Sequence, residues 1–184
     1  GQEEIRIKPV NRCYLCKLHL FRKLREFAKV RGIRQILDGT NEDDMHVYRP
    51  GIQALKELEI ISPLAELHIT KAAVKKLASF YGISVASRPS APCMATRLPY
   101  NTEIDFDILT RIGQGEAYLR TALPGNIRLR LHGDLVRLEV DSLSFSKVME
   151  RQKEITEALK SLGFIYITLD LEGFRSGSMD IELD

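Results

Sequence analysis

Apolar residues in the first half of the chain follow helical and extended patterns in turn. Their three- and four-residue spacing across 17–31 predicts a helix that ends at Gly32. A short buried strand is predicted at 33–37 and a second helix at 51–59. Thr70 is a suitable N-cap for a third helix. Helices that alternate with strands predict an α/β layer built on a parallel sheet.

The second half of the chain has a different pattern. Residues 105–121 and 145–162 show helical spacing, whereas residues 127–131, 135–140 and 164–169 are extended apolar runs. The order of these elements is αββαβ. We therefore predict a small α+β domain.

A proline-rich segment at 84–99 separates the two patterns. Such a segment is typical of an irregular connection between domains. We therefore expect an α/β domain at 1–98 and an α+β domain at 99–184.

The two central strands predict their own pairing register. The apolar residues of 127–131 and 135–140 share one face only if the strands are joined by a two-residue turn. Gly133 and Asp134 form a recognised turn sequence of that length. The segment is therefore predicted to be a tight antiparallel hairpin.

This register sets Arg128 opposite Glu139 and Arg130 opposite Arg137. Two directly opposed arginines destabilise a sheet unless an anion lies between them. The guanidinium group suits phosphate or carboxylate. We therefore predict an anion site on this face; the alternative is an ordinary solvated sheet face that Glu139 partly neutralises.

Composition narrows the class of protein. The chain has 184 residues, 44% of them hydrophobic, and its net charge is +2. No apolar run approaches the roughly 18 residues of a membrane helix, and no secretory signal is recognisable.

Three cysteines exclude a complete disulfide framework, so we expect a cytoplasmic protein. Residues 1–37 hold ten Lys and Arg against three Asp and Glu, which suits a solvated helix face or an RNA- or nucleotide-binding segment.

The cysteines carry the strongest chemical signal. Cys13 and Cys16 form a Cys-x-x-Cys motif at the start of the first predicted helix, and Cys93 lies in the proline-rich segment. Three thiolates suit a [4Fe–4S] cluster that leaves one iron without a protein ligand. Redox-active or persulfide-carrying thiols, a structural zinc site and unrelated cysteines remain alternatives.

Three further residues are candidates for a site. Asp38 follows the predicted strand at 33–37, where open α/β sheets bind ligands. Glu116 falls on the apolar stripe of its helix, so it needs a partner. Arg175 lies in a Gly- and Ser-rich loop that suits an anion. A turn-forming Asp-Gly, an edge salt bridge and an ordinary loop are the respective alternatives.

The chain resembles the LarE family of ATP-dependent sulfur transferases, which build the nickel-pincer nucleotide cofactor of lactate racemase. The matching stretches cover nearly the whole chain in the expected order. They are residues 11–17, 38–44, 49–51, 62–64, 92–100, 115–120, 128–132 and 173–177.

The resemblance implies a site and its cofactors. The first domain would be the remainder of a PP-loop domain, of the adenine nucleotide alpha hydrolase-like type, that uses ATP and Mg²⁺. A pyridinium mononucleotide carboxylate would be adenylated, and sulfur would then displace AMP. By this resemblance the three cysteines hold a [4Fe–4S] cluster, and Cys93 and Glu116 are catalytic. Active-site roles are also implied for Asp38 and Glu139, and substrate phosphate would be bound by Arg97, Arg128, Arg130 and Arg175.

The sequence departs from the family in two places. It contains no Ser-Gly-Gly-x-Asp-Ser motif, which is the family's ATP-binding PP-loop. We therefore expect either that an N-terminal third is missing or that a separate PP-loop polypeptide supplies it. Lys147 and its neighbours lack the acidic residue that some family members carry after the arginine hairpin, so the metal role implied by the resemblance is not expected there.

The expected assembly is a homo-oligomer that binds no membrane. Two other functions remain open. One is a tRNA-thiolation enzyme, although the chain has no dedicated RNA-binding motif. The other is a non-catalytic cluster- or metal-binding partner of a separate PP-loop chain.

Overall fold

The computed structural model describes residues 2–86 and 91–180. They form two compact units. The N-terminal unit contains residues 2–5, 9–86 and 91, and the C-terminal unit contains residues 6–8 and 92–180. No helix among these residues combines the length and apolar character needed to cross a membrane.

The N-terminal half is mainly helical. Its helices are α1 (Gln2–Arg6), α2 (Arg12–Val30), α3 (Gly51–Glu57), α4 (Pro63–Glu66) and α5 (Lys71–Phe80). The predicted helices at 17–31 and 51–59 correspond to α2, which begins five residues earlier, and to α3. The predicted N-cap is confirmed, because Thr70 Oγ accepts a hydrogen bond from the Ala73 amide.

The core of this unit lies between α2 and α3. Phe21 of α2 packs with Leu55, Leu58 and Ile60, and all four side chains are buried. Gly51 at the start of α3 allows the close approach, because a Cβ there would lie 3.0 Å from Lys17 Cδ. The first turns of α2 and α3 are therefore held side by side.

The predicted strand at 33–37 is wrong, because the segment forms one isolated bridge rather than a strand. Leu37 pairs in parallel with Ile61, supported by hydrogen bonds from the Ile61 amide to the Ile36 carbonyl and from the Asp38 amide to the Ile61 carbonyl. Within the described residues before 87 this contact does not extend into a sheet. An extended segment without a longer paired neighbour has no ladder to join.

The C-terminal half follows the predicted αββαβ order, except that two helices stand where one was predicted before the last strand. It contains α6 (Phe106–Ala122), β1 (Ile127–His132), β2 (Leu135–Val140), α7 (Phe145–Glu150), α8 (Gln152–Ser161) and β3 (Tyr166–Leu169). The sheet order is β1-β2-β3; β2 is antiparallel to β1 and parallel to β3. The predicted register is confirmed, with Arg128 opposite Glu139 and Arg130 opposite Arg137. Gly133 in the turn has a positive φ of 59°, as this tight turn requires.

The single helix predicted at 145–162 is wrong, because it is divided at Arg151. The Arg151 guanidinium donates to the carbonyl oxygen of Ala122 at the end of α6, and the backbone leaves helical geometry at that residue. The bond satisfies a helix C-terminal carbonyl that would otherwise lack a partner.

One face of the sheet packs against α6 and α8. Leu129 and Leu138 on the sheet, Leu119 on α6 and Leu159 on α8 are almost fully buried in this core. Gly115 permits the contact, because a Cβ there would lie 2.7 Å from a Leu129 methyl carbon. The close packing brings the next residue of α6, Glu116, to the free edge of β1.

The two compact units divide between residues 91 and 92, whereas the sequence places a domain boundary after residue 98. The segment from Cys93 to Leu98 contacts α6 and β1. Those contacts attach it to the C-terminal unit.

Candidate active site

A buried layer of charged side chains lies in the C-terminal unit. We call it the arginine layer, and its members are Arg97, Glu116, Arg128, Arg130, Arg137 and Glu139. All except Arg137 are at least nine-tenths buried. Buried charges need close partners, and the layer consists mainly of such pairs.

Glu116 is the first centre of the layer. Arg97 donates to it through Nε at 2.8 Å and through Nη2 at 3.0 Å. The Leu129 amide on the free edge of β1 and the Arg120 guanidinium donate to the same carboxylate. Burial raises the pKa of Glu116. The hydrogen bonds and charge of Arg97, together with the Leu129 amide and the charge of Arg120, lower it by more, so the net pKa lies below its usual value.

Glu139 is the second centre of the layer. Its carboxylate accepts Arg130 Nε at 3.1 Å and Arg137 Nη2 at 3.1 Å. The Ser178 hydroxyl also donates to it. The chain's own Glu139 therefore neutralises the opposed arginines, as in the alternative interpretation, but it does so on a buried face and not on a solvated one.

Arg128 lies on the same face and is 8% exposed. Its Nη1 donates to the Ile127 carbonyl, and its guanidinium carbon lies 5.2 Å from the centre of the Phe174 ring. Burial lowers the pKa of Arg128, and the charge of Arg97 lowers it further against the opposing effect of Glu116. Arg128 therefore lies close enough to Arg97 and Glu116 for both charges to act on it.

Arg175 lies in the loop that follows β3. Its Nη2 is 2.7 Å from a Glu172 carboxylate oxygen and 3.5 Å from Asp170 Oδ2. Its Nε is buried and donates no hydrogen bond to any of the described residues. The predicted loop arginine is thus held beside the sheet by carboxylates.

Cys93 is the exposed residue that begins the short 3-10 turn Met94–Arg97. The Thr96 hydroxyl donates to the Cys93 carbonyl at 2.8 Å, and the Thr96 amide donates to the same oxygen. Two members of the arginine layer hold this turn: Arg97, its last residue, donates to Thr96 Oγ, and Arg130 on β1 donates to the Thr96 carbonyl.

Cys13 and Cys16 lie in the first two turns of α2, and both are exposed. Residues three apart share one side of a helix, so their thiols are neighbours. Arg12 Nη2 lies 3.5 Å from Cys13 Sγ.

Asp38 is the centre of a polar network in the N-terminal unit. It accepts bonds from the Thr40 amide and hydroxyl, and from the Ser62 hydroxyl at 2.6 Å. Lys17 Nζ lies 3.4 Å away. Burial raises the pKa of Asp38, but the bonds from Ser62 and Thr40, and the charge of Lys17, lower it below its usual value. Lys17 is one turn from Cys13, so the network adjoins the first cysteine.

The predicted site residues therefore fall into two groups. One group stands on α2 and after the Leu37 bridge: Cys13, Cys16 and Asp38. The other is gathered in the C-terminal unit: Cys93, Arg97, Glu116, Arg128, Arg130, Glu139 and Arg175. Among residues 2–86 and 91–180, no three His, Cys, Asp or Glu side chains are grouped so as to hold a metal ion.

Several residues that bind the predicted site residues have no role predicted from the sequence. Thr96 and Ser178 are short hydroxyl side chains in irregular segments, which gives no periodic signal. Arg137 had a signal, because the hairpin register sets it opposite Arg130. Arg12 and Lys17 flank the Cys-x-x-Cys motif, and only the helix places their charges beside Cys13 and Asp38.

No protein-family model matches the chain. It is 38% identical over 174 residues to an uncharacterised protein of Synechocystis sp., covering 94% of the chain and 65% of that protein. It is 34% identical over 165 residues to an uncharacterised protein of Methanocaldococcus jannaschii, covering 90% and 64%.

A third relative has a chemical name. The chain is 32% identical over 167 residues to pyridinium-3,5-bisthiocarboxylic acid mononucleotide synthase of Lactiplantibacillus plantarum. The similarity covers 91% of the chain and 60% of that protein. The chain thus spans 60–65% of the length of these curated relatives.

Proposed function

We propose that the chain is the substrate-binding and sulfur-donating part of an enzyme of nickel-pincer cofactor biosynthesis. It would convert a carboxylate of a pyridinium mononucleotide into a thiocarboxylate. One observation carries the proposal: the Cys93 turn is hydrogen-bonded to a buried layer of arginines. A sulfur group beside fixed cations suits a reaction in which sulfur attacks an anionic nucleotide. The similarity to the named synthase supports the same substrate class.

Arg128 is the member of the layer best suited to the substrate phosphate. Its guanidinium lies among the charges of Arg97, Arg120 and Arg130, and such a group of cations would attract a phosphate. Phe174 supports the guanidinium plane from one side. Arg175, on the loop after β3, is proposed to bind the same phosphate.

Cys13, Cys16 and Cys93 are proposed to hold a [4Fe–4S] cluster. Their donor set fits such a group, because all three thiols are exposed and none forms a disulfide. Three thiolates leave one iron without a protein ligand, and the bound group would supply sulfide there. The chain's own contribution is the cation beside Cys13, the fixed Cys93 turn and the anion-binding layer.

Substrate activation requires ATP and Mg²⁺ and is proposed to use a PP-loop outside the described residues, because this sequence lacks the motif. Sulfur then forms a bond to the acyl carbon while the bond from that carbon to the AMP oxygen breaks. The purified chain alone should release no pyrophosphate from ATP. Pyrophosphate release by the chain without an added PP-loop polypeptide would contradict this division of labour.

Binding of nicotinic acid mononucleotide, measured by calorimetry, tests the substrate class. Arg128→Gln should weaken binding at least about tenfold, since a hydrogen bond to a charged group contributes about 1.5–3 kcal/mol. Lys153→Gln is the matched control, because Lys153 is exposed on α8. Absence of binding by the wild-type chain, or tight salt-sensitive binding of tRNA in its place, would refute the proposal.

A further inference from the structure

The hydrogen bonds around Cys93 separate the buried arginines into two kinds. Arg97 and Arg130 contact the turn that carries Cys93, whereas Arg128 contacts the Ile127 carbonyl and the Phe174 ring. For Arg97 and Arg130 this contact matters to function, because a guanidinium committed to protein partners has fewer directions left for a ligand.

Every side-chain nitrogen of Arg97 donates a hydrogen bond to the protein. Its Nε and Nη2 form a two-pronged pair with Glu116. Its Nη1 donates to Thr96 Oγ at 3.0 Å and approaches the carbonyl oxygens of Pro92 and Cys93 at 3.3 and 3.5 Å. The side chain is 2% exposed. A phosphate could reach it only by displacing these partners.

Arg130 holds the same turn from the sheet. Its Nε donates to both Glu139 oxygens, and its Nη1 donates to the Thr96 carbonyl at 2.8 Å. Thr96 is therefore bound at its hydroxyl by Arg97 and at its carbonyl by Arg130. Its own hydroxyl and amide both bond to the Cys93 carbonyl.

We propose that Arg97 and Arg130 are positioning residues that fix the Cys93 turn through Thr96, and that they do not bind the substrate phosphate. Glu116 acts in the same chain of contacts, because it orients Arg97. The role of the fixed turn in sulfur transfer rests on the proposed function, whereas the contacts that fix the turn do not. A fixed turn presents Cys93 in one orientation, which lowers the ordering cost of the reaction.

Hydrogen exchange of the amides at 94–98, followed by mass spectrometry of the whole chain, tests the positioning directly. Thr96→Val removes the hydroxyl with little change of shape. It should speed exchange at least about tenfold, since lowering the free energy of local opening by about 1.4 kcal/mol gives that factor. Arg97→Lys should do the same. Thr96→Ser should behave as wild type. Lys153→Gln is the control and should exchange as wild type, because Lys153 is exposed on α8 and is not a member of the turn or the arginine layer.

The same variants are then assayed for nicotinic acid mononucleotide binding and for iron content after anaerobic reconstitution. Thr96→Val and Arg97→Lys should keep mononucleotide affinity within about twofold, whereas Arg128→Gln loses it. Thr96→Val should retain less than half of the wild-type iron, and Thr96→Ser should restore it. Unchanged exchange in Thr96→Val and Arg97→Lys, or a tenfold loss of affinity in Arg97→Lys, overturns the inference. Absence of mononucleotide binding in the wild type refutes the proposed function instead, and the exchange rates then still decide the positioning role.

Discussion

The two units differ in where they place apolar and charged side chains. The C-terminal unit buries both: its apolar core encloses Leu119 and Leu129, and ionised pairs such as Arg97–Glu116 lie beneath the surface. The N-terminal unit leaves large apolar side chains exposed on α2, including Phe27 at 54% and Val30 at 85%. The C-terminal unit therefore holds a preorganised charged site, whereas the N-terminal unit carries its cysteines on a helix with an open apolar face.

This difference matters for chemistry. Fixed, desolvated charges interact more strongly than charges in water, but each loses heavily when its partner is removed. Substitutions in the C-terminal layer should therefore be costly. Substitutions among the polar groups of the N-terminal unit should cost less, because water can replace lost partners.

The largest expected loss comes from Glu116→Gln. The change leaves the Arg97 guanidinium buried without its anion, and breaking such a pair costs about 3–5 kcal/mol. Urea unfolding at pH 7 should show this loss of free energy. Glu154→Gln is the control, because it breaks the exposed Arg151–Glu154 pair and should cost less than about 1 kcal/mol.

The same comparison has a pH dependence with a definite sign. The folded-state pKa of Glu116 lies below its ordinary value of 4.5. Its stabilisation is thus fully present above pH 4.5 and is lost as the pH falls through the lower folded-state value. The stability gap between wild type and Glu116→Gln should shrink below pH 4.5. A gap that widens on acidification would contradict the ionised pair.

A matched pair of apolar truncations compares the two units next. Leu119→Ala removes a fully buried side chain from the C-terminal core and should cost about 2–5 kcal/mol. Phe27→Ala removes a half-exposed side chain from α2 and should cost less than about 1 kcal/mol. Thermal unfolding of the two variants measures both. Equal losses would show that the α2 face is covered in solution.

Asp38→Asn in the N-terminal unit should cost less than Glu116→Gln or Leu119→Ala. The new amide nitrogen takes the place of Oδ2, so it can no longer accept the Thr40 hydroxyl and it loses the attraction of Lys17, at a cost of about 1–2 kcal/mol. Ser62→Ala removes a single bond to the other oxygen, Oδ1, and should cost less. Denaturant midpoints of the two variants, at unchanged slope, check the order.

The C-terminal fold was predictable because its signals are local. Alternation of apolar residues and the Gly133-Asp134 turn predict the hairpin and its register, and both are observed. The register also indicated that the paired arginines need an anion, and Glu139 was named in the alternative interpretation as a partial neutraliser. That Glu139 binds both Arg130 and Arg137 depends on side-chain directions that register alone does not specify.

Other features depend on contacts that sequence patterns do not contain. The isolated bridge at Leu37 needed a longer neighbouring strand to become a sheet. The division at Arg151 arises from a bond to the distant Ala122 carbonyl. The attachment of the Cys93 turn to α6 and β1 depends on two contacts between residues distant in sequence. Arg97 binds Glu116, and Arg130 binds the Thr96 carbonyl. The cysteine motif was visible in the sequence, but its surroundings were not.

Iron and acid-labile sulfide in the anaerobically purified chain test the sulfur-donor proposal most directly. We expect about four irons per chain for a [4Fe–4S] group. Separate serine substitutions of Cys13, Cys16 and Cys93 should each abolish iron binding. An iron-free chain with one equivalent of zinc, or full iron content after Cys93→Ser, would contradict the proposal that the three cysteines act as one site.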